Sequence, residues 1–134
     1  MPIMEDNLIT GTEGKKTIEV TADKLASFIG SGALEVFATP AMIALMEQTA
    51  MESVAHLIPE KYVTVGTEVS VKHFKATLPG KMVTCNSKLI QSEGRKLVFE
   101  VMASDESGMI GKGTHTRYIV DKQFFIDSLT TILN

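Results

Sequence analysis

Pro40-Ala-Met-Ile-Ala-Leu-Met-Glu47-Gln-Thr-Ala-Met-Glu52-Ser-Val-Ala-His56 is the stretch that decides the fold. It is too long and too rich in Ala, Met and Leu for a strand, so it reads as a helix. Thr39 is expected as its N-cap, Pro40 as its first helical residue, and Pro59 stops it near Leu57. A helix apolar on nearly every side must be covered on most of them, by one sheet or by a sheet and a second subunit. One residue breaks the pattern. The neighbours of Glu47 at three, four and seven positions are Ile43, Ala44, Ala50, Met51, Val54 and Pro40, which puts a carboxylate on an apolar stripe. Glu52, with Gln48 and His56 one turn away, belongs to a solvated face instead. Charge against apolar surface costs free energy unless it is paired, hydrogen-bonded, protonated or facing a cavity. Function is one reason to keep it there; capping a neighbouring element or lining a half-wet subunit seam is the other.

Upstream of the helix, residues 1–13 read as a loosely held arm and Lys15 to Val20 alternates as a strand. Asp23 to Phe28 allows a helical turn or two before Gly30-Ser-Gly32 breaks it. Downstream the period is two. In Tyr62 to Phe74 the odd positions Val63, Val65, Thr67, Val69, Val71 and His73 form one face, predicted to point inward. Leu78-Pro-Gly80 turns the chain into a strand from Met82 to Gln91. Ser92-Glu-Gly94-Arg95 and Asp105-Glu-Ser-Gly108 are hairpin signals around Lys96 to Ala103, and Met109 to Val120 is the last strand. Lys122 to Leu133 has the spacing of a terminal amphipathic helix. Strand, central helix and then a run of long antiparallel strands call for an α+β layer with the sheet wrapped over the helix, in one domain spanning 1–134.

The 134 residues are 44% hydrophobic, with eight Met and no Trp, an ordinary globular composition with an adaptable interior. A net charge of −3 argues against a nucleic-acid surface, which needs clustered Lys and Arg. Cys85 is the single cysteine, so no intrachain disulfide forms; its strand position makes it a buried thiol and fits a reducing, cytoplasmic setting. The first residues lack the basic start and apolar run of a signal peptide, and no later stretch is long enough to span a membrane.

Three polar residues stand where propensity does not explain them: Thr39 at the start of the helix, Glu47 on its apolar stripe and His73 on the inward strand face. Each has a plain structural role open to it, as a cap, a half-wet seam or a satisfied core histidine. Eight positions separate Thr39 from Glu47, about 12 Å of helical rise, so a ligand, His73 or a second subunit must span the gap. His115, on a strand with two mixed faces, reads as structural, and His56 as solvated. The sequence has no metal-ligand spacing, no phosphate loop and no nucleophile elbow.

The runs Val36-Phe-Ala-Thr39-Pro-Ala-Met-Ile-Ala-Leu-Met-Glu47, Val65-Gly66-Thr-Glu-Val-Ser-Val-Lys-His73, Ala76-Thr-Leu-Pro-Gly80, Ser92-Glu-Gly94-Arg95 and Gly111-Lys-Gly-Thr-His115-Thr-Arg117 resemble the hot-dog-fold acyl-CoA thioesterases of the fluoroacetyl-CoA thioesterase type. That family's functional Thr, Glu and His fall on Thr39, Glu47 and His73. The resemblance implies a hot-dog fold, a homodimer pairing its sheets edge to edge or a tetramer built from it, and active sites at the dimer interface. It also implies hydrolysis of a short acyl-CoA thioester without metal or redox cofactor, coenzyme A entering as part of the substrate. Glu47 would then attack the carbonyl or activate water, His73 would position water and donate a proton, and Thr39 would orient the other two. Thr39 could itself attack only with a base in hydrogen-bond reach. Gly66 fits close backbone approach to the thioester, and Arg117 is a candidate for a structural or CoA-facing contact. The chain departs from the fluoroacetyl-specific pattern in one place. Where that enzyme has bulky aromatics before the helix, this sequence has Gly30-Ser-Gly32-Ala33, implying a smaller lid and a broader or different short acyl group. Two rivals use the same fold: a non-catalytic acyl-CoA-binding protein, and a hydratase or dehydratase, whose usual helical Asp-His spacing is absent.

Overall fold

A computed structural model describes residues 8–133. Five strands, β1 (Glu13–Glu19), β2 (Tyr62–His73), β3 (Met82–Glu93), β4 (Lys96–Asp105) and β5 (Gly108–Asp121), form one antiparallel sheet in the order β1-β3-β4-β5-β2. A 3₁₀ turn (Ala22–Lys24) and the single-turn α1 (Ala26–Ile29) precede α2 (Thr39–Ala55), and α3 (Lys122–Leu133) ends the chain. Between α1 and α2 one isolated bridge joins Leu25 and Phe37.

α2 lies across one face of the sheet and touches all five strands. Its buried residues Met42, Leu45, Met46, Ala50 and Val54 meet the inward positions Val83, Cys85 and Leu89 of β3, Leu97, Phe99 and Val101 of β4, and Ile110 and Ile119 of β5. Each fully buried Met, Leu, Val or Phe contributes roughly 1.5–3 kcal/mol, which is why period two in β3 and β4 and the long run in α2 specify this layer. Cys85 is fully buried, as its strand position predicts. On the opposite side of α2, Ala44, Gln48, Met51 and Glu52 remain exposed, and Glu52 pairs with Lys16 at 3.2 Å.

Two expectations need correction. Of the arm placed at 1–13, residues 1–7 lie outside the described residues. Leu8 is buried, and Gly11 and Thr12 exchange backbone hydrogen bonds with Leu89, so that part of the arm is tied to β3. In β2 the inward face is not odd throughout. Tyr62 and Thr64 are buried, whereas Val69, Val71 and His73 are the partly buried positions later on. A β-bulge between Gly66 and Glu68 causes the switch, because one extra residue exchanges the two faces of everything beyond it. Among the described residues no helix is long and apolar enough to cross a membrane.

Candidate active site

The backbone before α2 determines what Thr39 does. The Phe37 N–H donates to the Thr77 carbonyl and the Ala38 N–H to the Lys24 carbonyl, both at 2.9 Å, which pins the start of the helix against the loop that follows β2. Ala38 therefore takes the N-cap position, with no side-chain cap bond, and Thr39 is the first helical residue. This corrects the expected Thr39 cap. Its hydroxyl is directed instead to Nδ1 of His73, 2.8 Å away. The His73 ring faces inward, edge-on to Phe37 at 6.3 Å, and its Nε2 is buried with no hydrogen-bond partner among the described residues. Burial pushes the ring below the ordinary imidazole pKa, opposed by a backbone contact at Lys75, so the neutral form is favoured. A cavity of about 370 Å³, lined among others by Val36, Phe37, Thr39, His73 and Phe74, opens beside the pair.

Glu47 lies farther along α2, away from this pair within the chain. It stands at the border of the buried stripe and not within it: its side chain is 41% exposed, and of its apolar neighbours Ala44 and Met51 are open while Ala50 and Val54 are buried. The carboxylate overhangs Gly66. A Cβ at position 66 would stand 2.7 Å from Glu47 Oε2, 3.1 Å from His115 Cε1 and 3.2 Å from Arg117 Nη1. Only a residue without a side chain lets an acid, an imidazole and a guanidinium close onto the strand here, which is the close approach that a glycine in a β-branched strand suggests.

His115, read from the sequence as structural, and Arg117, a candidate for a structural or CoA-facing contact, complete this group. Arg117, 6% exposed, donates from Nε to Thr64 Oγ1 at 2.8 Å and from Nη2 to the Thr64 carbonyl at 2.9 Å, and its Nη1 is 3.1 Å from His115 Nε2. The guanidinium is thus inside the layer beneath Glu47, not on the outer surface. His115, 1% exposed, places Nδ1 2.8 Å from the Glu68 carbonyl at the bulge, and its Nε2 is 4.0 Å from Glu47 Oε2. Four ångströms is too long for a hydrogen bond. Burial lowers the His115 pKa and the Arg117 charge adds to it, against the Glu68 contact and Glu47, so the ring is neutral and the approach to Glu47 is not an ion pair. The available signal was the spacing. Residues 115, 117 and 119 share one strand face, and burial of Ile119 makes it the core face.

The sequence-predicted residues thus form two half-sites in one chain: Thr39 with His73, and Glu47 with Gly66 and Arg117. The first offers a neutral imidazole polarised by a hydroxyl. The second offers a carboxylate base and a cationic donor packed together over the bare backbone of Gly66.

A family model described as fluoroacetyl-CoA-specific thioesterase matches residues 20–123. A fluoroacetyl-CoA thioesterase from Streptantibioticus cattleyicolor is 38% identical over 91 residues, which are 68% of this chain; the match spans just under two thirds, 66%, of that relative's length. A solved variant of a fluoroacetyl-CoA-specific thioesterase, in complex with fluoroacetate and CoA, superposes with a TM-score of 0.84 at 31% identity, covering 88% of this chain and 99% of the other. A hot-dog-like protein from Thermanaerovibrio acidaminovorans superposes with a TM-score of 0.89 over 98% and 97% of the two chains; at 22% identity it bears on architecture alone. The fold is the α+β hot-dog fold.

Proposed function

The chain belongs to the fluoroacetyl-CoA-specific thioesterase family, and from that membership and the two half-sites we propose that it hydrolyses a short-chain acyl-CoA thioester to a carboxylate and free CoA. The observation that carries this reading is the Glu47 carboxylate held over the side-chain-free Gly66, with Arg117 Nη1 packed beside it. A water on the open side of Glu47, whose side chain is 41% exposed, loses its proton to the carboxylate as its oxygen bonds the acyl carbon. The C–S bond then breaks with its electron pair on sulfur, and the proton returns to the thiolate by way of His73, whose ring Thr39 orients. Direct attack by Glu47 on the carbonyl uses the same geometry. The reaction is redox-neutral and the chain supplies its own base, so no metal or redox cofactor is required.

The two half-sites are joined by a second subunit. β2 is a 12-residue edge strand, and an unpaired edge of that length is a template for pairing. Antiparallel pairing of β2 with its copy about a two-fold axis between Val69 and Ser70 would set Gly66 opposite His73 of the partner subunit. Glu47 of one protomer would then share a cleft with the Thr39–His73 pair of the other. This homodimer is the smallest assembly that completes the site, and a tetramer would be a pair of them. The lone buried thiol supports a cytoplasmic protein.

The segment before α2 supports a wider acyl range than fluoroacetyl. Backbone bonds from Ala26 to Val36 and from Ser27 to Leu34 close a loop whose Gly30 is left-handed at φ 91° and whose Ala33 offers no aromatic wall. The Thr39–His73 contact also favours a second reading, in which Thr39 is the nucleophile and His73 its base, since it meets the reach that such a mechanism needs.

Thiol release from acetyl-, propionyl-, butyryl-, longer-chain and aryl-CoA, repeated with Glu47→Gln and His73→Ala, tests the proposal. Turnover of at least one short ester by the wild type, and its loss in both variants, is expected. Binding of CoA esters without thiol release would replace it with a non-catalytic acyl-CoA-binding role, and hydration of a 2-enoyl ester with a hydratase.

A further inference from the structure

The mechanism leaves His115 unused, although it is the most deeply buried titratable side chain near Glu47. Its surroundings fix its chemistry. A carbonyl oxygen only accepts, so the Nδ1 that meets the Glu68 carbonyl carries the proton, and in the neutral ring Nε2 is then a bare lone pair. A guanidinium only donates, so the 3.1 Å contact is Arg117 Nη1–H to that lone pair. The β-bulge at Gly66/Glu68 interrupts the ladder where the Glu68 carbonyl serves the ring and Glu47 packs onto Gly66.

With three of its five N–H groups committed to Thr64 and His115, Arg117 is held rigidly, and one Nη1–H remains uncommitted beside the backbone of Gly66. The alternative partner for this cation is close by. Nevertheless, among the described residues no Arg117 nitrogen comes within 4.0 Å of a Glu47 oxygen. A direct bidentate pair would consume the base that hydrolysis needs.

We propose that His115 is a positioning residue of the hydrolytic site: fixed as the Nδ1–H tautomer by the Glu68 carbonyl, it anchors Arg117 through Nε2, keeping the guanidinium off Glu47 and beside Gly66. This rests on the hydrolytic reading of Glu47. The lone pair at Nε2 is the working feature, and satisfying Glu68 is only the means of presenting it.

Gln and Asn separate these two duties. A Gln at 115 reaches far enough to place an oxygen acceptor where Nε2 stands; an Asn can serve Glu68 in place of Nδ1 but leaves Arg117 without its acceptor. With acetyl-CoA as the probe, His115→Leu and His115→Asn are expected to lose ~10–100-fold in kcat with KM changed less than about twofold, and His115→Gln to stay within about fivefold of wild type. Full activity in His115→Leu, or activity kept by Asn and lost by Gln, overturns the inference and leaves hydrolysis standing. A wild type inert toward every acyl-CoA removes hydrolysis and this role together. Should the Leu variant fail to fold, ¹⁵N-histidine NMR of the wild type decides. A protonated Nδ1 and bare Nε2 at neutral pH is expected for His115, and an Nε2–H or doubly protonated ring overturns the proposal.

Discussion

The Thr39 hydroxyl and His73 Nδ1 are 2.8 Å apart across 34 residues of sequence, because the Phe37–Thr77 backbone bond ties the start of α2 to the loop after β2. The contact can orient the imidazole or activate the hydroxyl, and substitution at Thr39 separates the two. If the hydroxyl orients, Thr39→Ala lowers kcat by ~10–100-fold and Thr39→Ser stays near wild type. If Thr39 is the nucleophile, Thr39→Ala falls by at least ~10³-fold and the wild type shows a burst of thiol release as an acyl-enzyme accumulates. Rapid-mix thiol detection reads both.

Gly66→Ala is expected to fold with a modest loss of stability and to work poorly. The added Cβ meets Glu47 Oε2 at 2.7 Å, the free end of a flexible side chain that can swing away, but also His115 Cε1 at 3.1 Å and Arg117 Nη1 at 3.2 Å, which are buried and hydrogen-bonded and must give by a few tenths of an ångström. Stability should fall by about 1–2 kcal/mol. With the carboxylate displaced, kcat should fall by about 10²-fold. Thermal melts beside thiol-release assays check this, and an unimpaired Gly66→Ala enzyme would contradict a role for the close packing of Glu47 and Arg117 on Gly66.

Mixing inactive variants tests the shared cleft. If Glu47 works with His73 of the partner subunit, a heterodimer of Glu47→Gln and His73→Ala protomers has one doubly damaged site and one intact site. Random re-pairing of equal amounts should then recover about a quarter of wild-type activity. No recovery after verified exchange would place the whole site within one protomer.

The buried imidazoles contribute to the decline of stability between about pH 6.5 and 5. Burial depresses both His73 and His115 below the ordinary value of 6.5, so below that pH the unfolded chain takes up protons that the folded chain refuses. Their contribution is full above 6.5 and is lost as pH falls toward and through the folded-state values. Urea midpoints should decline as pH drops from about 6.5 to 5, and His115→Gln should flatten part of the slope. A midpoint constant over that interval would show that neither ring is held neutral.

Much of the fold was readable because each signal was local. The 17 residues of α2 and the alternation Leu97, Phe99, Val101 could not pack in any other class of element. What escaped depended on tertiary context. The bulge in β2 adds a residue without altering the β-branched look of the strand, so the inward face was misassigned at Val63 and Val65. Thr39 before Pro40 has every local mark of a cap, yet Ala38 takes that place through a bond to Lys24. His115 was obscured because Thr116 is buried as well, which makes both faces of β5 look alike. Thr39 and His73 were recognisable as misfits and do meet, whereas the neighbours of Glu47 emerged only with the register of β2 against β5.

Cys85, packed under α2 with burial holding its thiol pKa above the usual range, gives the protein an assay without background. A colorimetric disulfide reagent added to the native enzyme would register only the sulfur freed from coenzyme A. The same reagent with no ester present becomes a clock for unfolding, since one mole of colour per mole of chain develops only as the core opens.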